Sequence, residues 1–199
     1  MKMDFYTAVK ERRTYYDIGK EKLVSEERIE EVIGDAVKYA PSSFNSQSSR
    51  VVVLFGEGHN QLWDITMDTL RKIVPGEAFQ ATEDKINSFK NGYGTVLFFE
   101  DDNVIEELQQ KFALYKEKFP VWAEQSSGML QYIVWTSLEM EGLGASLQHY
   151  NPLIDEEVKE KWGIPQNWRL IAQMPFGSRT GEAGNKQLMP IEERFRVFK

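Results

Sequence analysis

The residues best suited to chemistry lie in Pro41-Ser42-Ser43-Phe44-Asn45-Ser46-Gln47. Five of these seven side chains both donate and accept hydrogen bonds. A hydroxyl or amide offers both functions, so such a group suits the edge of a planar heterocycle that alternates acceptors with N–H groups. Arg12-Arg13-Thr14 adds two forked cations and a hydroxyl, able to hold a phosphate through paired hydrogen bonds. Gly142-Leu143-Gly144, followed by Gln148 and His149, offers backbone that a ligand could approach closely. Lys186, in Gly184-Asn185-Lys186, could complete an anion site with the distant arginines. Each segment also has an ordinary explanation. The serines and Asn45 could satisfy a turn, the arginines could cap a helix, one glycine could end a helix, and Lys186 could be solvated.

Those segments must be positioned by helices and strands. The apolar spacing predicts a helix over 3–13 with Phe5, Val9 and Ala8 inward, ending at the arginines. A second helix is capped by Ser25, carries Ile29, Val32, Ile33, Ala36 and Val37 on its inner face, and stops before Pro41. Helices are expected over 59–73, 77–90, 103–115 and 120–143. A further one is expected after Asn151, with Pro152 in its first turn and its end near Gly163. Buried strands are expected at 50–55, 95–99 and 170–174, with a tail at 190–199 that reads as extended. Small residues Ala123, Ser126, Ser127 and Gly128 on the 120–143 helix allow close approach of another backbone. The result is an α+β chain, a mixed central sheet flanked by helices, read as a single domain over 1–199.

Composition narrows the function. The net charge of −7 argues against a general nucleic-acid binder. There is no cysteine, and the two histidines, His59 and His149, lack ligand spacing, so no metal site is expected. No apolar run reaches membrane-spanning length, and the start has no signal-like apolar core, so a cytoplasmic protein without a membrane partner is expected. Gly142-Leu143-Gly144 lacks the third glycine and the preceding strand of a dinucleotide fingerprint.

Taken in order, these segments resemble the nitroreductase family of FMN-dependent oxidoreductases. Arg12-Arg13-Thr14 matches the family's Arg-Arg-Ser/Thr element, and residues 41–47 match Pro-Ser-Ser-x-Asn-x-Gln at every defined position. Gly142-Leu143-Gly144 matches the late Gly-Leu-Gly element, and Lys186 stands for the basic residue of the C-terminal loop. Residues 49–56, 92–101 and 147–152 look like the short, oxidoreductase-like subfamily, associated with stress and lipid-signalling roles as well as nitro and quinone reduction. The resemblance implies a domain-swapped homodimer with FMN at the interface, reduced by NADH or NADPH and reoxidised by nitroaromatics, quinones or similar small acceptors in ping-pong fashion. It implies FMN contacts from Arg12, Arg13, Thr14, Ser42, Ser43, Asn45, Gln47, Gln148, His149 and Lys186, with no obligatory protein acid. Two positions depart from the pattern. Tyr16 replaces a basic residue, leaving Arg13, Lys85 and Lys90 as candidates to balance reduced flavin, and Ser48-Ser49 replaces Pro-Trp. The first departure keeps a second function in view, a flavin-binding sensor or regulator with little turnover.

Overall fold

The structure is a computed structural model that describes residues 3–199. Seven α-helices are α1 (Phe5–Glu11), α2 (Glu26–Tyr39), α3 (Gly56–Arg71), α4 (Phe79–Lys90), α5 (Asp102–Lys111), α6 (Phe119–Met140) and α7 (Asp155–Trp162). Five strands are β1 (Ile18–Gly19), β2 (Ser49–Phe55), β3 (Gly94–Asp101), β4 (Gly144–Ala145) and β5 (Trp168–Arg179). The sheet order is β1-β5-β3-β2, with β4 also on β5. Every strand pairing is antiparallel. The expected mixed sheet is therefore antiparallel, and a parallel element enters only as the isolated bridge from Thr14 to Ala145.

β3 is buried along its whole length and separates two cores. Alternate side chains of a strand point to opposite faces. Val96 and Phe98 accordingly pack with Ile29, Ile33 and Ala36 of α2 and Leu130, Val134 and Leu138 of α6. Leu97 and Phe99 pack with Leu62 and Trp63 of α3, Ile86 and Phe89 of α4, and Val158 of α7. No helix among the described residues is long and apolar enough to cross a membrane.

Local chemistry sets the helix ends. Ser25 Oγ accepts from Arg28 N–H at 3.2 Å, the cap expected for α2. α6 ends in a Schellman motif: Gly142 at φ +83° follows the cap, and Leu143 N–H reaches Leu138 O at 3.0 Å. Gly163, at φ +61°, closes α7 the same way, with Ile164 N–H on Lys159 O.

Several boundaries and faces differ from the periodicity. α1 is shorter than 3–13, and only Ala8 is buried; Phe5 and Val9 are exposed on the single chain. Val37 is likewise exposed on α2. The 103–115 helix stops at Lys111 and passes into a 3-10 segment, Ala113–Lys118. Pro152 is not in a first turn: it follows a cis peptide bond, and α7 begins at Asp155. β5 runs through Pro175 to Arg179 rather than ending at Met174. Proline lacks an N–H, but its carbonyl still accepts from Ser146 N–H at 3.2 Å, so β4 continues the ladder. β1 and β4 are two-residue strands with no apolar run of their own. The tail is exposed and irregular, with one 3-10 turn at Ile191–Glu193.

Candidate functional site: two clefts joined by one helix

The chain leaves α1 at Arg12, whose N–H still bonds Ala8 O at 2.8 Å. The next residues cross β4, with the Thr14–Ala145 bridge and Tyr15 N–H on Ala145 O at 3.0 Å. This crossing explains the second glycine of Gly142-Leu143-Gly144. A Cβ at Gly144 would stand 3.0 Å from both Tyr15 Cβ and Arg179 Cγ. Arg12, Arg13, Thr14, Tyr16, Gly184, Asn185 and Lys186 then line one cleft of about 430 Å³. The arginines and Lys186, far apart in sequence, therefore meet.

Arg12 is the most telling side chain in that cleft. Its guanidinium lies over the Trp135 ring at 4.2 Å, while Nε and Nη1 are buried without an acceptor. Buried unpaired donors are uncommon, because each forfeits its hydrogen bonds to water. A phosphate in the cleft would supply the missing acceptors once the guanidinium turns toward it. Arg13 differs: its Nη2 donates to Gly184 O, tying the first segment to the C-terminal loop. Of the other cations considered for the charge role, Lys90 is paired with Asp64 at 2.5 Å and Lys85 lies over the Phe89 ring at 5.9 Å. Tyr16 is half exposed and tilted against Phe89 at 6.1 Å. Burial, and then Tyr16 itself, push the neighbouring Tyr150 up to about 12, so its phenol stays neutral.

A second cleft, of about 380 Å³, is lined by Pro41, Ser42, Gln47, Ser49, Arg50, Ser126 and Trp168 among others. The 41–47 loop encloses a 3-10 turn, Ser43–Asn45. Ser42 Oγ accepts from Gln47 N–H at 2.9 Å, and Ser43 N–H reaches Ser126 Oγ of α6 at 3.4 Å. Asn45 and Gln47 are exposed, whereas Ser43 and Ser46 face a small gap beside Ile105, Phe119 and Trp122. Ser43 is thus turned away from the face that carries Ser42 and Gln47. Arg50 holds the end of the loop, donating to Gln47 O at 2.6 Å while paired with Asp101 at 2.9 Å.

Ser49 and Ser48 border a buried carboxyl. Glu100 is fully buried, Ser49 Oγ lies 2.5 Å from its Oε1, and its Oε2 has no partner. Burial pushes this carboxyl above the usual carboxylate range, partly offset by hydrogen bonds from Ser48 and Ser49. Asp101 is a buried cap whose Oδ1 accepts from Asn103 N–H and Asn167 Nδ2.

Gln148 is buried, and its backbone is consumed by Gln173: Gln148 N–H bonds Gln173 O at 2.7 Å, and Gln173 N–H returns to Gln148 O at 2.9 Å. Of the pair, exposed His149 is the one left for a ligand. The two clefts share no lining residue. Both rest on α6, through Ser126 and Trp135, nine positions or about 13 Å apart along the helix. Sequence reasoning missed Trp135, Arg50 and Asn185 as lining or supporting residues. Arg50 and Asn185 border polar segments without standing out from them, and Trp135 lies on a mostly apolar helix, so tertiary contact is what reveals their roles.

The nitroreductase family matches residues 9–178. This chain belongs to that family. It is 30% identical to nitroreductase FRM2 of Saccharomyces cerevisiae over 179 residues, 89% of each protein. It is similar to nitroreductase CinD from Lactococcus lactis in complex with chloramphenicol, with 43% identity, a TM-score of 0.90, and coverage of 98% of this chain and 100% of that one. At the level of fold alone it matches a nitroreductase with bound FMN from Desulfitobacterium hafniense, at 16% identity, a TM-score of 0.71 and full coverage of both chains. An oxidoreductase fold therefore carries both clefts.

Proposed function

We propose that the protein is an FMN-dependent oxidoreductase that uses NADH or NADPH to reduce nitroaromatics, quinones or similar small acceptors. The observation that carries this is the Arg12 guanidinium, whose two buried donors lack an acceptor in a cleft shared with Arg13, Thr14 and Lys186. These residues fit a phosphate ester, and the exposed amides of Asn45 and Gln47 fit the edge of a flavin ring. The relatives crystallised with FMN and with chloramphenicol support the same reading.

Arg12 and Lys186 would hold the phosphate, with Thr14 beside them. Ser42, Asn45 and Gln47 would meet the ring edge, Ser43 would support them from behind, and the backbone at His149, next to Gln148, would lie near the reacting face. The chemistry FMN would supply there is transfer of reducing equivalents from the nicotinamide to an acceptor, in two separate half-reactions. Arg13 would stabilise negative charge that develops on the ring in a water-poor pocket; its replacement by alanine is expected to lower the potential of bound FMN.

The two clefts would form one site across a homodimer, each taking the arginines from one copy and part of the 41–47 loop from the other. Uncovered apolar surface supports this. Phe5 and Tyr6 on α1, Met129 on α6, and Leu188, Ile191, Phe195, Val197 and Phe198 of the tail are all exposed on the single chain. Exposed apolar surface of that extent is characteristic of an interface.

The test is direct. Purified protein should be yellow with a flavin spectrum, and stopped-flow mixing with NADH or NADPH should bleach it. Replacing Arg12 and Lys186 together should release FMN without altering the spectrum of what remains. A colourless protein that takes up no added FMN would reject the reading. Tyr16, in place of a basic residue, favours the sensor alternative; slow bleaching by both nicotinamides would select it.

A further inference from the structure

The defined positions of the 41–47 motif leave Phe44 unexplained, and the structure gives it a job. Phe44 sits at φ +56°, ψ +22°, and Asn45 and Gln47 follow at φ +52° and +50°. Asparagine tolerates the left-handed region; a bulky ring and a glutamine do so only under constraint. Strain of this kind is worth about tenfold or more per residue in an equilibrium constant. Something must hold it.

The ring of Phe44 supplies the hold. It meets Phe112 at 4.9 Å, Phe119 at 5.3 Å, Tyr115 at 5.9 Å and Trp122 at 5.9 Å, the last nearly parallel. These four rings also touch one another, with Phe119 and Trp122 edge-on at 5.4 Å. They come from the segment between α5 and the first turns of α6, the same helix whose Ser126 accepts from Ser43 N–H. The loop is thus pinned at Ser43 and Phe44, where its left-handed residues begin.

We propose that Phe44 is a positioning residue. Clamped by Phe112, Tyr115, Phe119 and Trp122, it holds its own backbone and those of Asn45 and Gln47 in the left-handed conformations that present Asn45 and Gln47 to FMN. The clamp keeps the loop in its binding shape before the ligand arrives, which raises affinity by lowering the ordering needed on binding. This rests on the FMN reading above, so the experiment separates the two.

Three variants at one position distinguish a clamp from a plain packing residue. Phe44→Ala removes the ring and keeps the left-handed penalty. Phe44→Gly removes both, because glycine adopts this conformation freely. Phe44→Tyr keeps the ring. Titration of flavin-free protein with FMN should show at least about tenfold weaker binding for Phe44→Ala, partial recovery for Phe44→Gly, and near wild-type binding for Phe44→Tyr. Phe112→Leu, which loosens the clamp from the side of the α5–α6 segment, should weaken binding in the same direction. Hydrogen exchange on the flavin-free proteins adds a readout that needs no cofactor. The amides of Asn45, Ser46 and Gln47, bonded to Ser42 and Ser43, should exchange faster in Phe44→Ala and Phe112→Leu than in wild type. Unchanged exchange, wild-type FMN binding by Phe44→Ala, or equal losses for alanine, glycine and tyrosine would overturn the clamp. Failure of the wild-type protein to bind FMN would overturn the proposed function, while the exchange data would still decide the clamp.

Discussion

Acidification should strike this protein first at His59. The ring is fully buried between α3, β3 and α4, and its hydrogen bonds fix its tautomer. Nε2 faces Lys90 O at 3.2 Å, and a carbonyl only accepts, so Nε2 carries the proton. Nδ1 lies 2.8 Å from Thr95 Oγ1, which itself accepts from Trp63 Nε1–H at 3.0 Å. Thr95 therefore donates to Nδ1, and a proton on Nδ1 would have no acceptor unless that hydroxyl turned. Burial, helped by the charges of Lys20 and Lys90 and opposed by the Lys90 carbonyl, lowers this histidine from 6.5 to about 4. The unfolded chain thus binds the proton more readily than the folded one. The stabilising contribution is complete above pH 6.5 and is lost as pH falls toward 4. The loss amounts to about 2 kcal/mol at pH 5 and about 3 kcal/mol at pH 4. Urea unfolding of wild type and His59→Gln at pH 7, 5 and 4 would measure it. The variant should be less stable at pH 7 and show a shallower decline. A decline as steep as that of wild type, or a His59 ring titrating near 6.5 by NMR, would refute the reasoning.

Glu100 should behave oppositely. Its carboxyl is raised by burial, so its contribution is present at low pH and lost as pH rises through the folded value. Glu100→Gln should therefore gain stability relative to wild type at pH 8 and gain none at pH 4, as read from melting temperatures. Gly177→Ala should cost about 3 kcal/mol in chemical denaturation, because a Cβ there would stand 2.3 Å from Gly19 O and force β1 off β5; a loss under about 1 kcal/mol would show that the strand crossing yields readily. Gly128→Arg probes the proposed dimer. A Cβ at this position meets nothing within 4 Å on the single chain, so the substitution should leave the subunit fold intact by circular dichroism while shifting sedimentation from dimer to monomer. An unchanged dimer would place the interface elsewhere.

The long elements were legible because their signals are local. Ser25 announces α2, the Ile29–Ile33–Ala36 spacing gives its inner face, and the apolar run at 95–99 gives a strand buried on both sides. The family was legible because its polar motifs are short and contiguous. What failed were features that depend on a distant partner. Phe5 and Val9 carry helical spacing but find no core within their own chain. β1 and β4 are too short to show a period and exist because β5 offers them an edge. Nothing local in the sequence shows that Arg50 and Asn167 close on Asp101.

By itself, the sequence determined which side chains were available for chemistry: the Arg12–Thr14 cations and hydroxyl, the polar loop at 41–47, the glycines at 142–144 and Lys186. Composition and motif order are properties of the chain alone, so no fold was needed to read them. Only the tertiary structure decided how these are used. It brought Arg12 and Lys186 to one cleft across more than 170 positions, left two guanidinium nitrogens without acceptors over Trp135, and turned Ser43 away from Ser42. It also showed that Phe44, an undefined position of the motif, lies half-exposed against four rings. Hydrogen-bond satisfaction and backbone strain depend on what surrounds a residue, and those surroundings come from parts of the chain far away in sequence.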